Sequence, residues 1–300
     1  MKLFRTTLAA AAALMFGALS IGAINPAQAA GGGEKPPAVD WSFDGPFGTF
    51  DRAQLQRGYK VYREVCSACH AMSLVRFRNL SQPGGPEFSE AQIRALAAEF
   101  KIPDGPNEQG EMFERPGRPS DAFPRPFPNE QAARAANNGA YPYDLSVMAK
   151  ARNYERGFPL FLFDILTQYQ EGGPDYLKAL LTGYEDPPAG VTLQPGQNWN
   201  KYKAGNIFSM PNVLNDGQVE YPKGADGRSP VPETARQYAT DVTAFLMWAA
   251  EPHMEQRKSL GRRVFIFLLL FAGLLYFTKK RIWSRLPENS PSANPGASAT

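Results

Sequence analysis

The chain has 300 residues, with 32 Lys and Arg against 29 Asp and Glu, and only two cysteines and two histidines. Its net charge of +3 is unevenly spread. The first 30 residues carry +2 and those after 256 carry +7, which leaves −6 on residues 31–256. An acidic central region argues against nucleic acid as a partner and suits a basic one, and a four-ligand zinc site would have to use every cysteine and histidine in the chain.

The first 29 residues read as a secretory signal: Lys2 and Arg5, then a short apolar run, then Ala27 and Ala29 at a small-residue cleavage site. The domain that follows, residues 30–256, is therefore expected outside the cytoplasm, in a bacterial periplasm. Its first helix is predicted over Asp51–Val65, with Asp51 as cap and Leu55, Tyr59, Tyr62 and Val65 at helical spacing. The pentapeptide CSACH (Cys66–His70) follows directly. Ser89 caps a second predicted helix to Phe100. The stretch Pro103–Pro128 is dense in Pro, Gly and charge, without periodicity, and reads as an ordered surface insertion. Further helices are predicted over Asn129–Gly139, Pro159–Gly172, a short run ended by Gly183, and Thr234–Pro252. Residues 184–232 are rich in Gly, Pro and Asn and read as loop.

The uncharged run Val264–Thr278 would span about 22 Å as a helix, short of the ~30 Å hydrocarbon core. Extension to Leu260 and Trp283 closes the gap, with Arg262 and Arg263 on one side and Lys279, Lys280 and Arg281 on the other able to snorkel. Residues 260–283 are thus predicted to be a single membrane anchor. Flanking positive charge is balanced, so the signal sets the orientation: main domain outside, the disordered tail 284–300 in the cytoplasm.

CSACH admits four chemistries. A redox dithiol belongs in a strand–helix pattern absent around Cys66. Zinc needs both histidines as well as both cysteines. A disulfide across two residues is strained and leaves His70 unexplained. Covalent haem c fits the spacing: two thiols reach the two vinyl groups of one porphyrin edge, and the next imidazole lies beneath the iron. For the sixth ligand the residues leave a choice among Met72, Met112, Met148, Met210, Met247, Met254 and His253. Met72 is too near His70 to cross the haem plane, Met247 reads as core, and His253 reads as exposed near the membrane. Met210 ranks first and Met148 second, because the Met210–Pro211 step lies in a non-helical loop that can bring a thioether onto iron. His/Met ligation would close both axial positions, leaving one-electron transfer. Gly58 and Tyr62 before the motif, with Phe245 and Trp248 on the last helix of the domain, suggest that the first and last helices cross closely.

Three long segments extend this reading: WSFDGPFGTFDRAQLQRGYKVYREVCSACHAMSLVRFRNL, RPSDAFPRPFPNEQAARAANNGAYPYDLSVMAKAR and DVTAFLMWAAEPHMEQRKSLGRRVFIFLLLFAGLLYF. In order and content they resemble the cytochrome c1 family, the haem c subunit of the cytochrome bc1 complex. The resemblance implies a mainly α fold: a class I cytochrome c-like haem domain with long irregular loop insertions, plus one C-terminal transmembrane helix. It implies haem c on Cys66 and Cys69, His70 and Met210 as axial ligands, and Arg152 as a partner for a haem propionate. It further implies a subunit that is no enzyme by itself, taking electrons from a Rieske iron–sulfur protein beside cytochrome b and passing them to a soluble c-type cytochrome, in a dimeric inner-membrane complex. A free membrane-tethered cytochrome feeding an oxidase is the rival. The chain departs from the family at Tyr141-Pro142-Tyr143, where a proline pair is common. It also lacks the extra disulfide of some bacterial relatives, so the ligand loop is expected to be held by packing alone.

Overall fold

The computed structural model describes residues 33–152, 172–224, 227 and 229–284. The expected signal (1–29), the helix predicted over Pro159–Gly172 (except Gly172) and the tail (except Ser284) lie outside these residues.

Helix α1 (Arg52–Glu64) begins where predicted: the Asp51 carboxylate accepts from the amides of Ala53 and Gln54, satisfying donors that the first turn leaves unpaired. Its buried face is Leu55, Gly58, Tyr59, Val61 and Tyr62. Helix α2 (Glu90–Ala98) is capped by Ser89 with Gln92 closing a capping box. Short helices α3 (Glu130–Ala136) and α4 (Met148–Ala151) follow. Next come α5 (Gly173–Thr182), with Pro at its first turn and Gly183 at its end, and α6 (Ala235–Ala250), capped by Thr234. A mainly helical chain with long loops is what the composition and periodicity anticipate. The loops hide two small antiparallel hairpins that periodicity does not reveal: β1 (Lys101–Asp104) with β2 (Phe113–Pro116), and β3 (Asn198–Trp199) with β4 (Ile207–Phe208). Strands of two to four residues are too short for alternation to register. The β1–β2 insertion is also closed by charge, with Arg115 bonded to both Asp104 and Asp121.

The core forms where α1 crosses α6. A Cβ on Gly58 would lie 2.1 Å from the Asp241 carbonyl oxygen and 2.7 Å from the Phe245 Cβ, so the backbones approach as only glycine allows. Around the crossing Tyr59 and Tyr62 pack on Phe245 at 5.7 and 5.9 Å, and Phe245 on Trp248 at 5.5 Å. Beside it the fully buried Asp241 carboxylate accepts from Arg57 (2.9 and 3.2 Å), the Tyr221 hydroxyl (2.8 Å) and Gln237 (2.9 Å). A buried carboxylate with four such bonds is tolerated; removing a charged partner typically costs about 3–5 kcal/mol.

Helix α7 (Met254–Trp283) starts six residues before the predicted anchor and forms one 30-residue rod, about 45 Å long. Its first turns belong to the domain: Met254 and Lys258 are buried. From Leu260 onward its large apolar side chains are exposed, as lipid-facing residues would be.

Gly58→Val is expected to destabilise the full chain by about 1–3 kcal/mol, the usual cost of overpacking. Thermal unfolding in detergent reads this as a fall in Tm of several degrees; an unchanged Tm would mean that the crossing can open without cost.

Candidate functional site

Helix α1 delivers CSACH to one place. The helix ends at Glu64, and Cys66–Ala68 form a single 3-10 turn in which the amides of Cys69 and His70 both donate to the Cys66 carbonyl, at 3.2 and 2.9 Å. The Tyr62 hydroxyl donates to the His70 carbonyl at 3.3 Å, fixing the turn to the helix that precedes it. Both thiols are free and half-buried. Burial pushes the Cys66 thiol up to about 12, with Cys69 adding to it. A redox dithiol needs the opposite, a thiol whose pKa is depressed to favour thiolate. Among the described residues no three His, Cys, Asp or Glu side chains are grouped to hold a metal ion.

His70 is oriented by its Nδ1, which lies 2.8 Å from the Tyr143 carbonyl oxygen. A carbonyl only accepts, so Nδ1 carries the proton and Nε2 keeps its lone pair. Burial holds the imidazole below its usual pKa, favouring the neutral, ligating form. The carbonyl is held in turn by the segment that follows it. The Asp144 carboxylate accepts from the Ser73 amide (2.9 Å), the Ser73 hydroxyl (2.6 Å) and the Ser146 amide (2.8 Å). The Ser146 hydroxyl accepts from the Leu74 amide at 3.1 Å, and the Leu145 amide donates to the Ala71 carbonyl at 2.8 Å. Burial raises the Asp144 pKa, but bonds from Ser146 and Ser73 outweigh it and keep the carboxyl below its usual range. The two strands of chain on either side of His70 and Tyr143 are thus clamped together.

Arg152, the residue that ends α4, lies with its guanidinium 5.2 Å from the centre of the Tyr143 ring, a cation–π distance. It therefore belongs to the His70 cluster. Met210 stands apart from it in every described hydrogen bond. It is half-buried in an irregular segment just after β4, and its carbonyl accepts from the Tyr184 hydroxyl (3.1 Å) and the Asn198 amide group (3.3 Å). Tyr184 stacks on Phe208 at 6.2 Å, and the fully buried Asn200 donates to the Leu180 carbonyl at 2.7 Å, joining the β3–β4 hairpin to α5. Packing alone was the expectation for this loop; side-chain hydrogen bonds hold it as well, because an irregular backbone must find partners for its carbonyls.

The other candidates sort by burial. Met72, Met247 and Met254 are fully buried core residues, Met112 is 67% exposed on the outer hairpin, and His253 is exposed at the start of α7. Met148 packs against the core at the first turn of α4. The clamp of Ser73, Asp144 and Ser146 and the anchors Tyr184 and Asn198 were not singled out from sequence. Asp-x-Ser is a local turn signal, but nothing local says that it reaches 71 residues back to Ser73. The set of donors fits a covalently held haem: two free thiols two residues apart, then a neutral imidazole whose Nε2 is open.

The sequence profile described as the Cytochrome C1 family matches residues 41–286. The chain is 59% identical over 269 residues to cytochrome b/c1 of Bradyrhizobium diazoefficiens, an alignment covering 89% of this chain and 38% of that longer protein. It is 46% identical over 275 residues to cytochrome c1 of Blastochloris viridis, covering 91% and 94% of the two chains. To the mitochondrial heme protein cytochrome c1-2 of Solanum tuberosum it is 43% identical over 271 residues, covering 90% and 94%.

Asp144→Ala is expected to cost about 2 kcal/mol, since hydrogen bonds to a charged group contribute ~1.5–3 kcal/mol. It should also speed solvent exchange of the His70 Nδ1 proton, followed by nitrogen-15 NMR of the histidine-labelled chain. Slow exchange in the variant would show that Tyr143 is held without the clamp.

Proposed function

Because this chain belongs to the cytochrome c1 family, we propose that it is the membrane-anchored electron-transfer subunit of a cytochrome bc1 complex, receiving electrons from a Rieske iron–sulfur protein and passing them to a soluble c-type cytochrome. The observation that carries the site is the 2.8 Å contact of His70 Nδ1 with the Tyr143 carbonyl, which leaves Nε2 as the ligating atom directly after two free thiols. Haem c, the cofactor of the family, supplies a one-electron iron couple when bound. Cys66 and Cys69 would hold it through thioethers, with His70 Nε2 and the Met210 sulfur as the side-chain ligands of its iron. The carbonyl bond of Nδ1 fixes the plane of the His70 ring and raises its basicity. A thioether favours ferrous iron, so Met210 raises the potential above that of a bis-histidine site.

With His70 and Met210 both ligating, the iron would have no open site for oxygen or peroxide. The subunit makes and breaks no substrate bond; quinol oxidation belongs to cytochrome b. Arg152, already beside Tyr143 over the His70 support, offers its guanidinium to a propionate. In this reading residues 30–256 face the periplasm, α7 crosses the inner membrane, the tail is cytoplasmic and the parent complex is a dimer. The net −6 of residues 31–256 supports a basic mobile carrier as acceptor. The rival, a free tethered cytochrome, predicts purification without cytochrome b or a Rieske protein.

A reduced-minus-oxidised spectrum should show low-spin haem c unmoved by carbon monoxide, and Met210→Leu should lower the potential and open the iron to carbon monoxide. An unchanged spectrum and potential in the variant would remove Met210 from the iron. Electron transfer to a basic soluble cytochrome should slow several-fold as salt rises from about 0.05 to 0.5 M, because screening shortens the reach of surface charge; a rate indifferent to salt would count against electrostatic docking.

A further inference from the structure

The root of α7 carries a feature that neither the haem site nor the span explains. Residues Ser42–Thr49 form a tight loop closed by the Thr49 amide on the Ser42 carbonyl at 3.0 Å. Gly45 has φ +65°, and a Cβ on Gly48 would lie 2.1 Å from the Asp44 carbonyl oxygen, so the reversal needs both glycines. The base of the loop is buried: Phe43 is fully enclosed, stacks on Trp41 (5.3 Å) and packs at a tilt against Phe50 (5.1 Å). The tip is the reverse, with Pro46 exposed and Phe47 77% exposed.

One face of α7 holds this loop in order along the helix. Glu255 accepts from the Phe50 amide at 2.8 Å and from Arg52 at 2.6 Å. Three residues on, buried Lys258 donates to the Phe43 carbonyl at 2.5 Å. One turn further, Arg262 donates to the Pro46 carbonyl at 2.7 Å, and its guanidinium lies 5.3 Å from the centre of the Phe47 ring. The loop therefore descends the helix, and its tip stops beside Arg262. Val264, where the uncharged run begins, is two residues later, about 3 Å along the axis. The sequence alone suggests that Arg262 simply snorkels to the interface; in the structure it also turns onto the loop.

We propose that Pro46, Phe47 and Arg262 form a second membrane contact, in which the Phe47 ring enters the boundary between headgroups and acyl chains and the Arg262 guanidinium meets lipid phosphate. Depth selects the occupant. A rigid helix fixes Arg262 at the end of the apolar span, and the tip bonded to it is carried to that level. An exposed aromatic ring with a cation on its face suits the interfacial layer, which takes an apolar body and a charged head together. The exposed tip is also continuous with the exposed apolar surface of α7 that begins at Leu260. With Glu255 and Lys258 holding the base, two contacts rather than one hinge would set how the haem domain stands on the bilayer.

The inference rests on the membrane-anchor reading of α7, and one experiment separates the two. Both native cysteines are occupied in the haem-loaded chain, so Phe47→Cys and Leu270→Cys each give a unique site for a nitroxide spin label. The full haem-loaded variants are reconstituted in vesicles of phosphatidylcholine and phosphatidylglycerol. Power saturation is then measured with oxygen, which partitions into lipid, and with a water-soluble nickel chelate. The expected result is a label at 270 deep in the acyl region and a label at 47 at headgroup depth, shielded from nickel at least several-fold relative to a fully aqueous label. Phe47→Trp keeps a ring on Arg262 and should be quenched by lipids brominated near the headgroup, after subtraction of the wild-type signal. A deep label at 270 with a nickel-accessible label at 47 would overturn the second contact alone, leaving the tip to water or to a protein partner. A nickel-accessible label at 270 would overturn the anchor reading and the inference with it.

Discussion

The close crossing of α1 and α6 at Gly58 is the constraint on which the rest of the structure depends. With the Asp241 carbonyl and Phe245 where a Cβ would stand, the two helices meet backbone to backbone. That proximity brings Tyr59 and Tyr62 onto Phe245 and places Arg57 on the buried Asp241. It also fixes the direction in which α1 ends, and CSACH begins two residues after that end. A side chain at position 58 would push the helices apart and move the thiols relative to everything α6 supports.

From this crossing the site is assembled by two different kinds of attachment. His70 is held on the short path, through the turn after α1 and the clamp of Ser73, Asp144 and Ser146. These charge-assisted bonds are individually strong and mutually supporting. Met210 is held on a long path, through Tyr184 and Asn198 to the β3–β4 hairpin, and through Asn200 to α5, which packs on α6. The long path consists of neutral hydrogen bonds and one ring stack. His70, proposed as one iron ligand, is thus fixed by the fold itself, and Met210, proposed as the other, by a loop with its own smaller framework.

The anchor shows the same economy of connection. A helix meant only to cross a membrane could have begun at Leu260 after a free linker. Instead α7 begins at Met254, buries Lys258, and lends Glu255 and Arg262 to the Ser42–Thr49 loop. The first turns are soluble-protein structure and the remainder is exposed apolar rod, within one uninterrupted helix. Pro252 ends α6 cleanly, so the chain redirects between two rigid elements with only Glu251, Pro252 and His253 between them.

Local chemistry was legible in the sequence, because caps, helical spacing and a five-residue ligand motif depend on residues near one another along the chain. Asp51 and Ser89 cap helices as read, Gly58 lies at a crossing as read, and Met247 is core as read; Asn129 and Thr234 prove to be the caps of the helices predicted to begin at them. The hairpins, the serine–aspartate clamp and the loop on α7 were not legible, since each rests on partners tens to hundreds of residues apart whose meeting no periodicity encodes. By itself the sequence determined the chemistry of the attachment motif, the helices that flank it and an apolar segment long enough to span a bilayer. Only the tertiary structure decided which nitrogen of His70 is free, what holds Met210, and how the anchor is seated. These are matters of distance and direction between remote groups, and they exist only once the chain has folded.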